Sequence, residues 1–371
     1  MKQKIIILLI VLLSGQNGFS QNRNRKESKV NIDKINKIHL VGDGKTDNAP
    51  LFEQLFSRLT TDGVSGLKLP AGTFLVSRTV ELPTGISLHL EPGAIIRAMP
   101  NFSGDAVLRK QQGEHGVHNW NGRISGGLID GGKQNLIGIH VPGACRLDIA
   151  DIEIIDCLQK GIYVGSPDKT WGYEVNIRGV RCAIDLKTQH APGSIGLHYE
   201  KITDSYISQM VIIGYETGVA SEGSSNDYSQ VHVWTVPQQG PLKRTFYCNG
   251  WGDSYNQCYA DSPFDEGREC YGFLVNRPFN RFTNCRVYCN NFTNTVVGFM
   301  LTDSGTHGSY LNNLFTAQKE SRIKAAYAGN LEAATILGNG YDPNVISGRE
   351  NRIPSDTGGI SHVPQLIIND K

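Results

Sequence analysis

Apolar and variable residues alternate along most of this chain in a short phrase: a glycine, a large apolar residue, one variable residue, and usually another apolar one. The phrase reads Gly138-Ile139-His140-Val141, Gly161-Ile162-Tyr163-Val164, Gly196-Leu197-His198-Tyr199, Gly218-Val219-Ala220, Gly272-Phe273-Leu274-Val275 and Gly298-Phe299-Met300-Leu301. Between its occurrences runs a second ladder: Ser208-Gln209-Met210, Ser229-Gln230-Val231, Asn256-Gln257-Cys258, Thr283-Asn284-Cys285 and Asn312-Asn313-Leu314. Alternation over a few residues is the signature of short strands. Steps of roughly 21 to 35 residues mark an array of repeating coils rather than one globular core. An amide in the same place on each coil can hydrogen-bond to the amides above and below, and the apolar residue after it then stacks inward. The pattern predicts an all-β chain wound as a parallel β-helix.

The opening differs. Val41-Gly42-Asp43-Gly44-Lys45-Thr46-Asp47-Asn48 precedes a segment from Ala49 to Leu59 with apolar residues at Leu51, Phe52, Leu55, Phe56 and Leu59. That spacing predicts an amphipathic helix, with Asp47 or Asn48 placed to cap it. Strand–turn–strand units follow in Leu67-Lys68-Leu69-Pro70-Ala71-Gly72-Thr73-Phe74-Leu75-Val76 and Leu88-His89-Leu90-Glu91-Pro92-Gly93-Ala94-Ile95-Ile96. The run from Gly42 to Asn48, the helix, and the turns at Pro70-Ala71-Gly72 and Pro92-Gly93-Ala94 resemble the opening of the pectin-lyase-like β-helix superfamily. The resemblance runs from about Ile38 to Pro100, and the coil pattern extends it to roughly Leu314. It implies a single-stranded, right-handed parallel β-helix whose N-terminal α-helix covers the strand edges left unpaired at the end of a solenoid. After Ala317 the ladder fades, and Ser321 to Leu337 reads as a last irregular coil or a cap.

Composition adds boundaries. The chain has 371 residues, 42 of them glycine, and a formal net charge of +1. So balanced a charge gives no nucleic-acid or membrane-surface footprint. Lys2 and Lys4 precede an apolar run, Ile5 to Leu13, too short to span a bilayer, and Gly18-Phe19-Ser20 ends in small residues. These features predict a signal peptide at 1–20, removed on export to the periplasm or medium, with no membrane anchor. A polar leader at 21–36, the β-helix at 37–345 and a tail at 346–371 complete the division. Eight cysteines in an exported chain invite a disulfide framework. The register argues otherwise for Cys258 and Cys285, which follow ladder amides where neighbouring coils put Met210 and Val231. They read as stacked, buried thiols; Cys285 and Cys289 lack the second pair that a zinc site needs.

Strand parity locates candidate chemistry. If Ile139, Val141, Ile162, Val164 and Leu197 point inward, then His140, Tyr163 and His198 point outward. The glycine-led strand resembles the sheet that carries the cleft in β-helix enzymes. The superfamily includes polysaccharide lyases, polygalacturonase-type hydrolases, fructotransferases and phage depolymerases, and it implies a polysaccharide as partner. β-Elimination from a uronate needs a base for the C5 proton, a group that offsets the carboxylate, and a proton for the leaving oxygen. His198 or His140 supplies the base, Tyr163 the proton, and Lys160, Lys201 or Arg268 the positive charge. Calcium held by acids such as Glu200 is the alternative to a protein cation. Glu200 and Glu222, each four residues after a phrase glycine, are the pair a retaining glycosidase would use. The polygalacturonase-type aspartates are missing beside these glycines, where Ile137, Lys160, Ile195, Thr217, Tyr271 and Val297 stand.

Insertions at Gly165–Tyr173, Lys187–Ser194, Pro237–Thr245 and Pro263–Glu269 bring Trp171, Tyr173, His190, Lys243, Arg244 and Arg268 as sugar-gripping candidates. Tyr173, His190 and Arg268 join Glu200, Lys201 and Glu222 as substrate-binding residues. Asp130 reads as a turn-former, and His232 and Trp234 as outward residues of another sheet. The Gly42-Asp43-Gly44 run has neither a P-loop nor a dinucleotide-binding layout. A non-catalytic glycan-binding β-helix is the reading from another class, and the resemblance brings a homotrimer into consideration.

Overall fold

A computed structural model describes residues 38–111, 122–143, 145–165, 171–290, 296–305, 307–318, 321 and 323–341. The expected signal peptide, leader and tail lie outside the described residues. The chain divides into two compact units, Met1–Asp185 with Glu200–Ile202, and Leu186–Tyr199 with Thr203–Lys371. Each consists of parallel β-helix coils.

In the first unit the expected helix spans Ala49–Thr61 and buries Ala49, Phe52, Leu55, Phe56 and Leu59. It packs on the strand Gly72–Leu82. Asp47 holds its start: Oδ1 accepts the Ala49 N–H (3.0 Å) and Oδ2 the Ser77 hydroxyl (2.6 Å). Asn48 is fully buried and works backwards instead, its amide exchanging two hydrogen bonds with the backbone of Val41. Three stacks of parallel strands follow. One joins Gly66–Leu69, Ser87–Leu90, Gly122–Ser125, Cys145–Ala150 and Gly172–Arg178. A second joins Ala94–Lys110 to Leu128–Gln134, Glu153–Cys157 and Arg181–Ala183. The third pairs the end of Ala94–Lys110 with Ile137–Val141 and Lys160–Val164. The interior is mainly aliphatic, with Leu88, Ile96, Leu108, Ile124, Ile129, Ile139, Ile154 and Ile162 fully buried.

The second unit repeats the plan with a different filling. Its glycine-led stack joins Thr217–Ser224, Arg244–Cys248, Cys270–Val275, Val296–Leu301 and Ile323–Gly329. The paired strands Tyr206–Ile213 and Asp227–Trp234 feed two further stacks. One runs through Ser254–Asn256, Arg281–Thr283, Ser309–Leu311 and Thr335–Leu337. The other runs through Tyr259–Asp261, Arg286–Cys289, Leu314–Ala317 and Gly340–Tyr341. Regular coils therefore continue beyond Ala317. Two interior columns of rings face each other here. Phe246, Phe273, Phe299 and Tyr327 stack at 4.6, 4.5 and 5.2 Å, and Tyr228, Tyr255, Phe282 and Tyr310 at 4.8, 4.8 and 5.0 Å. Rings one coil apart meet because the strand spacing matches the stacking distance.

The amide ladder sits at a corner. Gln209, Gln230, Gln257, Asn284 and Asn312 all take a left-handed conformation, with φ of 53 to 55°. Gln230 donates to the Gln257 side chain at 3.1 Å. The last rung is Asn312, so Asn313 takes the inward place of Cys258 and Cys285. Each inward residue donates to a carbonyl of the preceding coil: Cys258 to Tyr228 (3.5 Å), Cys285 to Tyr255 (3.4 Å), Asn313 to Phe282 (3.4 Å) and Asn339 to Tyr310 (3.2 Å). The seven described cysteines are buried, and Cys157, Cys182, Cys248, Cys258 and Cys285 are free thiols.

Candidate functional site

The phrase glycines explain why the glycine-led strands carry an orderly outer face. A Cβ on Gly138 would lie 2.4 Å from Ile154, on Gly218 2.2 Å from Val233, and on Gly298 2.4 Å from Phe315. Interior side chains from another stack press directly on these glycines, which fixes the strand and the parity of the residues after each glycine. Ile139, Ile162, Leu197 and Phe273 accordingly point inward, fully buried, and His140, Tyr163 and His198 point outward. Facing outward does not put them in solvent. They are 5, 8 and 8% exposed, because charged side chains and neighbouring rings cover them.

In the first unit, His140 and Tyr163 are register partners whose rings stack at 4.8 Å and 15°. Arg109 Nε donates to His140 Nδ1 (3.4 Å), so the imidazole proton sits on Nε2 and donates to the Gly165 carbonyl (3.1 Å). Burial, with Arg109 and Lys160 nearby, lowers the His140 pKa and keeps it neutral. Its lone pair is engaged, so the ring buttresses Tyr163. Arg109 is itself held by Glu81 (2.9 Å) and by Asp105. The Tyr163 hydroxyl donates to Glu200 Oε2 in a short bond. Lys160 Nζ lies 3.8 Å above the Tyr163 ring, and both Lys160 and Glu200 are half-buried. Ala106 and Ile137 close the apolar side of the phenol. The first unit thus brings together four predicted residues: His140, Lys160, Tyr163 and Glu200. Arg109, which anchors them, was not among the sequence candidates, because it lies on a strand without the glycine phrase.

In the second unit, His198 Nε2 donates to Glu222 Oε1 at 3.2 Å. The link has the same form as the Tyr163–Glu200 bond: an outward residue reaches a residue two places further along the next coil. Tyr247 and Asn276 are spaced in the same way with the donor reversed, Asn276 Nδ2 donating to the Tyr247 hydroxyl at 3.1 Å. Lys201 is half-buried with φ 54°, and Tyr173 lies exposed on the strand Gly172–Arg178 rather than in a loop. His190 has each ring nitrogen against a carbonyl, Ala191 at 3.0 Å and Pro241 at 2.9 Å, tying two insertions together. Arg268 is exposed, in a loop whose Phe264 exchanges backbone hydrogen bonds with Leu242. Lys243 pairs with Glu216 at 3.2 Å, and Arg244 belongs to a strand. Asp130 is a turn-former, its Oδ1 accepting the Gly132 N–H while Oδ2 pairs with Arg97.

Among the described residues no group of three or more His, Cys, Asp or Glu is arranged to hold a metal ion. No helix among them is long and apolar enough to cross a membrane.

No family model matches the chain, and no curated protein matches it by sequence. Solved structures do. The ORF18 protein of Geobacillus virus E2 superposes over 89% of this chain and 67% of its own, with 15% identity and a TM-score of 0.59. The A-module of the mannuronan C-5 epimerase AlgE6 of Azotobacter vinelandii matches 83% of this chain and 99% of its own, at 12% identity and a TM-score of 0.49. The surface adhesin PfbA of Streptococcus pneumoniae matches 83% of this chain and 96% of its own, at 12% identity and a TM-score of 0.47. At these identities the likeness is one of fold.

Proposed function

We propose that this chain, which has the fold of the pectin-lyase-like parallel β-helix proteins, cleaves a uronate-containing polysaccharide by β-elimination at the outer face around Tyr163. The observation that carries the reading is the Lys160–Tyr163–Glu200 cluster: a phenol bonded to a carboxylate, with an ammonium over its ring. Elimination asks for a base, an acid and a positive charge within one small area, and these three side chains supply them. Lys160 offsets the uronate carboxylate, which acidifies the C5–H bond. Glu200 takes the C5 proton as the C4–O bond breaks, and the Tyr163 hydroxyl protonates the leaving oxygen. The proton on Glu200 then passes to the phenolate through the bond they already share. The cycle closes without a proton from outside. His140 and Arg109 hold the phenol in place.

The test is the ultraviolet absorbance of unsaturated uronate, followed with pectins, alginate, glycosaminoglycans and ulvan, with and without chelator. Tyr163→Phe and Glu200→Gln are expected to lower the elimination rate by about 10²-fold or more, with the circular dichroism spectrum unchanged. His140→Gln is expected to cost less, as a support should. Full activity in both Tyr163→Phe and Glu200→Gln removes this reading. Hydrolysis is the second reading, carried by the His198–Glu222 pair, in which a carboxylate orients an imidazole as a base toward water. New reducing ends without the absorbance rise, lost in His198→Ala, would favour it.

A further inference from the structure

Three successive coils of the second unit each place one exposed ring at the same corner, just after the glycine-led strand: Trp251, Phe279 and His307. Trp251 is 53% and Phe279 54% exposed, and His307 is exposed as well. Centroids lie 5.3 Å apart between Trp251 and Phe279, and 6.0 Å between Phe279 and His307. Phe279 and His307 are nearly parallel, at 19°, so the faces of Phe279 point along the column. Trp251 stands at 69° to Phe279 and so turns its own face across the column, where its exposure puts it in solvent.

The backbone beneath is fixed. Trp251 donates to the Gly223 carbonyl (3.1 Å) and accepts from the Ser225 N–H (2.9 Å), and the Gly252 N–H donates to Pro278 (3.2 Å). Phe279 holds φ of 65°, an outlier for a bulky residue, secured by its N–H bond to the His307 carbonyl. Backbone strain kept at an exposed aromatic site is a pointer to function.

We infer that this corner of the second unit is a glycan-binding platform, on which Trp251 stacks against the C–H face of a sugar in an extended polysaccharide. The inference rests on the reading that the substrate is a polysaccharide. The strip is a single residue wide, which suits a linear chain better than a protein partner, whose interface needs about 800 Å² per side. The positions beside the rings are polar: Asn249 and Asn276 are half-buried, and Arg277 and Asp303 are exposed. Stacking faces with hydrogen-bonding groups beside them match the two kinds of surface a pyranose presents. The pinned backbone means that little freedom is lost on binding.

The test is affinity electrophoresis of the full chain in gels containing polygalacturonate, alginate or neutral galactomannan, with elimination measured on the same samples. Wild type is expected to be retarded by at least one polymer, and Trp251→Ala to bind about fivefold or more weakly, with Trp251→Phe between them. Equal retardation of wild type and Trp251→Ala, or no retardation of wild type by any polymer, overturns the platform. So does a shift from oligomer to monomer in Trp251→Ala by light scattering, which would make the corner a contact between copies. Trp251-dependent retardation in samples that eliminate nothing would retire the lyase reading and leave the platform standing. Elimination by both proteins with equal retardation would do the reverse.

Discussion

Asp253 stands where the neighbouring coils place an asparagine. Asn226 Oδ1 accepts the Ser205 N–H (3.2 Å), Asp253 Oδ1 the Asn226 N–H (2.9 Å), and Asn280 Oδ1 the Asp253 N–H (2.8 Å). The second Asp253 oxygen accepts the Ser221 hydroxyl at 2.5 Å. Full burial outweighs these bonds and pushes the Asp253 pKa up to about 6. A folded pKa above the unfolded one means that the native state binds the proton more tightly. The associated stability is complete below about pH 4 and is lost as pH rises through about 6, a change of up to about 3 kcal/mol. Asp253→Asn keeps the ladder acceptor and removes the charge. Urea unfolding at pH 4.0 and 7.5 should therefore show the variant gaining on wild type at the higher pH, and an unchanged difference between the two would contradict this account. Residue-scale features of this kind were only partly legible in the sequence. Parity gave the outward direction of His140 and Tyr163, but Arg109, which bonds His140, and Glu81, which holds Arg109, come from strands that precede the first phrase and carry none themselves.

At the scale of the strand, the glycine phrase was readable, and its cause was not. Its glycines are required by volume: Gly218 takes no left-handed φ, yet a Cβ there would meet Val233 at 2.2 Å and the Thr245 carbonyl at 2.6 Å. Overpacking against backbone costs about 1–3 kcal/mol. Gly218→Ala should lower the melting temperature by several degrees, whereas Gly66→Ala, whose new methyl meets nothing nearer than 3.9 Å, should leave it level or raise it. Equal effects at the two positions would show that the phrase marks something other than packing. The requirement is local to each rung, and two rungs that the phrase missed carry another residue in the glycine's place. Thr245 occupies the place of Gly218 on the next strand and Ala326 lies on the strand beyond Gly298, so Arg244–Cys248 and Ile323–Gly329 are full rungs without the glycine. The amide ladder misled by one position at its end, since Asn312 and Asn313 are both amides and only the backbone conformation separates corner from interior. The corner rings Trp251, Phe279 and His307 escaped notice because each falls in a turn, where no strand parity assigns a direction.

Across the whole molecule, the cysteines decide between two ways of stabilising a chain of this kind. A disulfide framework closes loops and restrains the unfolded state, whereas a solenoid gains its stability from stacking each coil on the next. Here the described thiols serve the stack. Cys258 and Cys285 take consecutive interior rungs, with S–H groups donating to the coil below, and Cys157, Cys182 and Cys248 are equally enclosed. Burial pushes the pKa of Cys157, Cys248 and Cys285 well above the usual thiol range, so little thiolate forms at neutral pH. Both properties are measurable on the purified chain. Reductant should leave the melting temperature unchanged, because Cys157, Cys182, Cys248, Cys258 and Cys285 stand as free thiols with no cross-link to lose. A thiol reagent such as Ellman's should be slow to reach the seven described cysteines, all of them buried, in the native chain, and should reach all eight after denaturation. A melting temperature that falls on reduction, or several thiols that react in the native protein, would mean that the interior column is cross-linked or open. The glycine phrases and inner rings would then not be what holds the coils together.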